Sequence, residues 1–83
     1  MYLYEAGISS TYMYGHYNYY AIYKLKNESY KVYKKTFTDS TIYDDSKNWS
    51  LKKYNKVCVK NARLSEPVII DREYLRKYIC MAF

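Results

Sequence analysis

Fourteen of the 83 residues are tyrosine, and this excess constrains how the chain can build a core. Two Phe and one Trp add to the aromatic surface, whereas Leu, Ile and Val are sparse. A buried tyrosine hydroxyl needs a hydrogen-bond partner, so many of these rings are expected to lie half-buried with the hydroxyl in water. Disordered segments contain few aromatic residues, so the chain is expected to fold. Its length predicts one domain, residues 1–83, with a thin core.

The clearest element is a β-hairpin. Segments 17–26 and 30–37 are rich in aromatic and β-branched residues, and the polar residues 27–29 interrupt them. Loops of two and of four residues predict the same register. In that register Leu25 lies opposite Tyr30, and Tyr23 opposite Val32.

This register divides the hairpin into two faces. The first face carries an apolar stripe that is expected to pack on the C-terminal helix: Tyr17, Tyr19, Ala21, Tyr23 and Leu25. The second face would place Tyr20 opposite Lys35 and Lys24 opposite Lys31, with Tyr33 beside them. Like charges directly opposite each other are mildly destabilising, so this face is expected to meet solvent or a counter-charge.

The C-terminal segment predicts an amphipathic helix that begins after Asp71. Its apolar residues follow helical spacing: Tyr74, Leu75, Tyr78, Ile79, Ala82 and Phe83. Arg72, Glu73, Arg76 and Lys77 would form the solvated side. The fold class predicted is α+β, a small antiparallel sheet of four to five strands packed on this helix.

The remaining segments give weaker patterns. Predicted strands are residues 2–6, ended by Gly7, and then 11–14, 56–60 and 66–70. Residues 38–46 predict a polar loop that holds a short edge strand at 41–43. Ser46 would cap a short helix through Trp49 and Tyr54.

The chain is basic, with a formal net charge of +6 and a pI near 9.2. Residues 24–35 hold five Lys against Glu28, and residues 47–63 hold five Lys and one Arg with no acid. Asp39, Asp44 and Asp45 lie in the acidic stretch between these two blocks. Such a balance favours an anionic partner, whether nucleic acid, a protein surface or a membrane.

The sequence lacks the residue patterns of common active sites. The single histidine, His16, lies in a Gly-His turn, and no phosphate loop or metal-ligand spacing is present. Cys58 and Cys80 fall within apolar patterns, where burial makes a thiol inert. We therefore expect no enzyme activity, no cofactor and no metal.

The start of the chain has no signal-peptide pattern, and no apolar run is long enough to span a membrane. The expected location is intracellular, in a host cytoplasm, with Cys58 and Cys80 as free thiols. A bridge between these two cysteines is the alternative.

The leading functional hypothesis is a non-enzymatic, Tyr-rich module that binds a host protein. Tyrosine and tryptophan dominate many protein interfaces, and the first 23 residues hold eight Tyr and only one charge. The candidate contact residues are Tyr12, Tyr14, Tyr20 and Trp49. The abundance of Lys, Tyr, Asn and Ile is typical of AT-rich genomes. It suggests a viral or mobile-element inhibitor of a defence or nucleic-acid-processing protein.

The alternative hypothesis is direct binding of single-stranded nucleic acid by the second hairpin face. Rings that stack on bases, next to cations that contact phosphates, are the usual means of holding single strands. The candidate residues are Tyr20, Lys24, Lys31, Tyr33, Lys35, Lys52 and Lys53. A homo-oligomer that buries the spare tyrosines is a third possibility.

Overall fold

A computed structural model describes residues 1–82. Its center is a four-stranded antiparallel sheet in the order β1-β2-β3-β4. The strands are β1 (Tyr2–Ser10), β2 (Tyr17–Lys24), β3 (Ser29–Phe37) and β4 (Val68–Asp71). The helices are α1 (Ser40–Ser46), α2 (Leu51–Ala62) and α3 (Leu75–Ile79), and a 3₁₀ turn, Arg72–Tyr74, precedes α3.

The α+β class and the packing of a C-terminal helix on the sheet are confirmed. The helix is shorter than predicted, since it ends at Ile79 and leaves Ala82 outside it, and Phe83 lies outside the described residues. Helix α3 covers one face, and its core cluster consists of Tyr20, Ile22, Tyr30, Val32, Leu75 and Ile79. Helix α2 covers the opposite face, where Tyr19 and Ala21 of β2 pack with Cys58 and Ala62 of α2. The sheet is therefore the middle of three layers, and its aromatic residues are distributed over two cores.

The hairpin forms, but the predicted register is wrong by one residue. Tyr23 pairs with Lys31, and Tyr30 pairs with Lys24 instead of Leu25. The loop has three residues, since the Leu25 amide donates to the Ser29 carbonyl at 2.9 Å. Three-residue loops combine a type I turn with a left-handed residue, and Glu28 has a φ of 62°. An odd loop length exchanges the cross-strand neighbors, so Tyr23 packs toward α2 and not toward α3.

Replacing Glu28 by glycine is expected to raise the melting temperature. A left-handed conformation costs a residue with a Cβ about 1–2 kcal/mol, and glycine avoids this cost while adding about 0.5–1 kcal/mol of unfolded-state entropy. The net gain is therefore up to about 1.5 kcal/mol, and each 1 kcal/mol corresponds to roughly 4–8 °C in a domain of this size. Lys26→Gly, at a loop residue without positive φ, is the matched control and should lower the melting temperature. A lower melting temperature for Glu28→Gly would contradict this account of the loop.

Residues 56–60, predicted as a strand, lie within helix α2. The Ser50 side chain accepts a hydrogen bond from the Lys53 amide at 3.2 Å and caps the helix. Cys58 and Ala62, four residues apart, are the buried side of the helix. The alternation of Lys and Val in 56–60 fits a strand, but only over five residues. The helical spacing of buried and exposed residues extends over all twelve residues of α2.

Helix α1 replaces the loop and edge strand predicted for residues 38–46. Asp39 caps it by accepting from the Thr41 amide at 2.9 Å, so neither α1 nor α2 begins at Ser46. Residues 11–14 form a turn and not a strand. Asp71 precedes the 3₁₀ turn without a capping side-chain hydrogen bond.

Strand β1 continues through Gly7, which was predicted to end it. Gly7 is buried and lies opposite Tyr20. A Cβ at this position would lie 2.9 Å from the Tyr20 hydroxyl and 3.1 Å from the Tyr54 hydroxyl. Glycine is therefore needed for the close approach of two tyrosine side chains.

Polar contacts attach the C-terminal segment to the sheet. The buried Asn18 side chain donates to the carbonyls of Ile79 at 2.9 Å and Met81 at 2.6 Å. Glu5 accepts two hydrogen bonds from Arg76, at 2.7 and 2.9 Å, and one from the Tyr20 hydroxyl at 2.6 Å. These bonds lower the pKa of Glu5. Arg76 is exposed, as predicted, and it also forms an ion pair with Glu5 across to β1.

The longest helix within residues 1–82 is α2, and none of the helices there is long and apolar enough to cross a membrane.

Candidate functional site

The turn between β1 and β2 is an exposed apolar feature of the surface, and residues 1–4, at the start of β1, also expose large apolar side chains. We call residues 12–14 the aromatic turn. Its three side chains are exposed, with fractions of 74% for Tyr12, 54% for Met13 and 101% for Tyr14. Tyr12 and Tyr14, two of the predicted contact residues, are thus exposed, and Met13 extends the same surface.

Hydrogen bonds define the backbone of the aromatic turn. The His16 amide donates to the Met13 carbonyl at 3.1 Å, and Gly15 has the positive φ, 80°, that the third position of a type II turn requires. The Thr11 hydroxyl donates to the Met13 carbonyl and accepts from the Met13 amide. The Tyr12 amide donates to the Cys80 carbonyl at 3.1 Å, which ties the turn to the end of α3. The exposed side chains thus project from a backbone that the fold itself holds in place.

The aromatic turn lies in an uncharged part of the chain. No Lys, Arg, Asp or Glu occurs between Glu5 and Lys24. The His16 ring lies next to the turn, with its Nδ1 atom 3.2 Å from the Tyr14 carbonyl. The turn can therefore offer apolar area and two phenol hydroxyls to a partner, but no charge of its own.

The other two predicted contact residues lie elsewhere. Tyr20 is buried in the core beneath α3, where burial and the hydrogen bond to Glu5 raise its pKa. Tyr20 therefore lacks the exposed surface that the prediction assumed, because α3 covers the face of the sheet on which its side chain lies. Trp49 lies between α1 and α2, is half-buried, and has the Lys53 ammonium 5.0 Å from its ring centroid.

The residues predicted to bind single-stranded nucleic acid do not share one face. Tyr20 and Lys24 point to the α3 side of the sheet, whereas Lys31, Tyr33 and Lys35 point to the α2 side. The even-length loop assumed in the prediction had placed all five together. Lys52 and Lys53 lie exposed on the first turn of α2.

A basic surface lies instead on the solvent-exposed side of helix α2. We call its five exposed cations the basic row: Lys52, Lys53, Lys56, Lys60 and Arg63. At about 100° per residue these positions fall within about 100° of one another on the helix, opposite the buried Cys58 and Ala62. Arg63, at the C-cap, lies over the rings of Tyr23 and Tyr33, with its Cζ atom 5.7 and 5.2 Å from their centroids.

The two cysteines are free thiols, which excludes the predicted alternative of a bridge. Burial raises the pKa of Cys58 to about 12. Residues 1–82 bring together no group of three His, Cys, Asp or Glu side chains that could hold a metal ion, and their surface carries no pocket. No protein-family model, curated protein or solved structure matches the chain.

Proposed function

We propose that the protein is a non-enzymatic binding module that docks onto another folded protein through the aromatic turn. The observation that carries the proposal is the exposure of three consecutive large side chains on a hydrogen-bonded turn. Leaving such side chains in water has no benefit for folding, and contiguous exposed apolar surface commonly marks a site of interaction.

The physical properties of the turn suit a hot spot. Tyrosine has few rotatable bonds for its contact area, so its immobilization in an interface costs little entropy. The backbone around Tyr12 and Tyr14 is already ordered by Thr11 and by the Cys80 carbonyl. Such preorganization lowers the cost of binding. Because the turn has no charge, the expected partner surface is an apolar groove with hydrogen-bond acceptors for the phenols.

The kind of partner is the more specific part of the proposal. The abundance of Lys, Tyr, Asn and Ile supports an origin in an AT-rich viral or mobile-element genome. We propose that the partner is a host protein, of defence or nucleic-acid processing, that the module inhibits by occupying its surface.

The test uses a photo-crosslinking amino acid in place of Tyr14. Crosslinking in the source cells, followed by mass spectrometry, identifies the partner, which is then purified for affinity measurements. Tyr12→Ser together with Tyr14→Ser is expected to weaken binding at least about 100-fold, because hot-spot side chains each contribute about 2 kcal/mol or more.

The matched control is Tyr2→Ser together with Leu64→Ser, which removes two large exposed side chains far from the turn in sequence. This variant is expected to bind within about threefold of the unmodified protein, since most exposed side chains contribute little to any one interface. Equal loss of affinity in both double variants would contradict the proposal. Crosslinks from residue 14 to a second copy of the chain alone would favor a homo-oligomer instead.

A further inference from the structure

The basic row on α2 is a second candidate surface, separate from the aromatic turn. Between Asp45 and Glu66 the chain has no acidic residue. Within residues 1–82 the ion pairs are Lys47 with Asp44 and Arg76 with Glu5, so no member of the basic row has a carboxylate within 4.0 Å. Five cations on one helix face repel one another, and this arrangement is stabilized by an anionic partner.

We propose that the basic row binds the phosphate backbone of nucleic acid. Lys52, Lys56 and Lys60 are spaced by four residues, a rise of about 6 Å per step along the helix axis. With Arg63 the row extends over about 16 Å, the length of roughly five phosphates on one strand of a duplex. A long row of regularly spaced cations matches a linear polyanion better than a single anionic group.

Arg63 is held in a position to donate to such a backbone. Its guanidinium lies over two tyrosine rings and donates one hydrogen bond, to the Tyr23 hydroxyl at 3.3 Å. A guanidinium has five N–H donors, so most of them remain available to phosphate oxygens. Lys31 adds a further cation beside the same site, 5.8 Å from the Tyr33 centroid.

The same contacts argue against recognition of bases. The rings of Tyr23 and Tyr33 lie against Arg63, Tyr33 also lies against Lys31, and Trp49 lies against Lys53. Rings covered in this way offer little surface for base stacking, which is what gives a preference for single strands. Binding through phosphates alone is independent of sequence and includes duplex DNA.

The test measures the fluorescence anisotropy of a short labelled DNA duplex and of a single strand of the same length. The full chain is expected to bind both, with affinities that fall steeply between about 50 and 200 mM salt. Lys52→Gln, Lys56→Gln and Lys60→Gln in one variant should reduce the slope of log affinity against log salt by about 2–3. These side chains are exposed, so the variant is expected to fold, which circular dichroism verifies.

The control variant removes the same charge from exposed residues outside α2, by Lys26→Gln, Arg72→Gln and Lys77→Gln. Its salt slope should stay within about one unit of that of the unmodified protein. An equal reduction in both variants would overturn the proposal, since net charge alone would then explain binding. Failure to bind either DNA at low salt would also overturn the proposal. So would binding of the single strand but not of the duplex, if Tyr33→Ala abolished that binding. Neither triple variant changes Tyr12 or Tyr14, so the result is independent of the proposed protein contact.

Discussion

Replacing Ile79 by alanine is expected to lower the free energy of unfolding by about 2–5 kcal/mol. Ile79 is 5% exposed and packs in the core that joins α3 to β2 and β3. Helix α3 has five residues, too few to be stable without this packing. Domains of this size have a total stability of roughly 4–12 kcal/mol, so the change removes a large part of it.

The matched control is Ile69→Ala, which deletes the same atoms from a residue that is 57% exposed on β4. Its effect on stability is expected to be below about 1 kcal/mol, since little buried surface is lost. Urea unfolding of both variants, followed by circular dichroism, compares them directly. Equal midpoints would show that α3 is not packed against the sheet as described.

The elements with long periodic patterns were predictable from the sequence. The alternation in 17–26 and 30–37 predicts two paired strands, and the spacing of Leu75 and Ile79 predicts the helix that covers them. The register was not predictable from this alternation, because it depends on a single loop residue. Glu28 adopts a left-handed conformation, which glycine or asparagine at this position would have indicated but glutamate does not.

Helix α2 was missed because two periodicities overlap in a short segment. Val57 and Val59 suit a strand by their β-branched side chains and their spacing, whereas Cys58 and Ala62 follow the helical spacing that the structure uses. Ser50, a good N-cap residue three positions before Lys53, was the local signal for a helix start. Once α2 is recognized as a helix, the basic row follows from its spacing.

The exposure of the candidate contact residues could be predicted only where they lie outside the regular elements. Tyr12 and Tyr14 lie in a turn, and the excess of tyrosine over what a thin core can hold indicates exposure. Tyr20 lies in the same tyrosine-rich, uncharged segment of the sequence, but its side chain points inward. Which face a strand residue occupies depends on the register and on the layer above it, and α2 and α3 cover both faces here.

Asn18 shows how much one buried polar residue among tyrosines can determine. Its side chain is fully buried, donates to the carbonyls of Ile79 and Met81, and accepts from the Thr36 hydroxyl at 2.6 Å. Alternation places it on the α3 side, next to aromatic residues, and nothing in the sequence indicates its partners. The amide satisfies two carbonyls at the end of α3 that would otherwise have no donor from β2.

Asn18→Asp is expected to cost about 3–5 kcal/mol at neutral pH, although it barely changes the shape of the side chain. The carboxylate loses both donors and faces two carbonyl oxygens, with the Lys34 ammonium donating to the same Met81 carbonyl at 2.9 Å. Burial and the facing carbonyls favor the protonated carboxyl, whereas the nearby Lys34 ammonium favors the carboxylate. We expect the first two effects to dominate, so the pKa of the carboxyl in the folded variant should lie above the ordinary value of about 3.9.

The sign of the pH dependence follows from this raised pKa. A protonated carboxyl can restore one of the two donated hydrogen bonds. The stability that this bond contributes is fully present below a pH of about 3.9 and is lost as the pH rises through the folded-state pKa of the carboxyl. The difference in free energy of unfolding between Asn18→Asp and the unmodified protein should therefore grow from pH of about 4 to pH of about 7. Asn48→Asp, at an exposed position, makes the same chemical change and should cost less than about 0.5 kcal/mol at both values. A cost for Asn18→Asp that does not vary with pH, or that equals that of the control, would show that the Asn18 amide does not hold the end of α3 to the sheet.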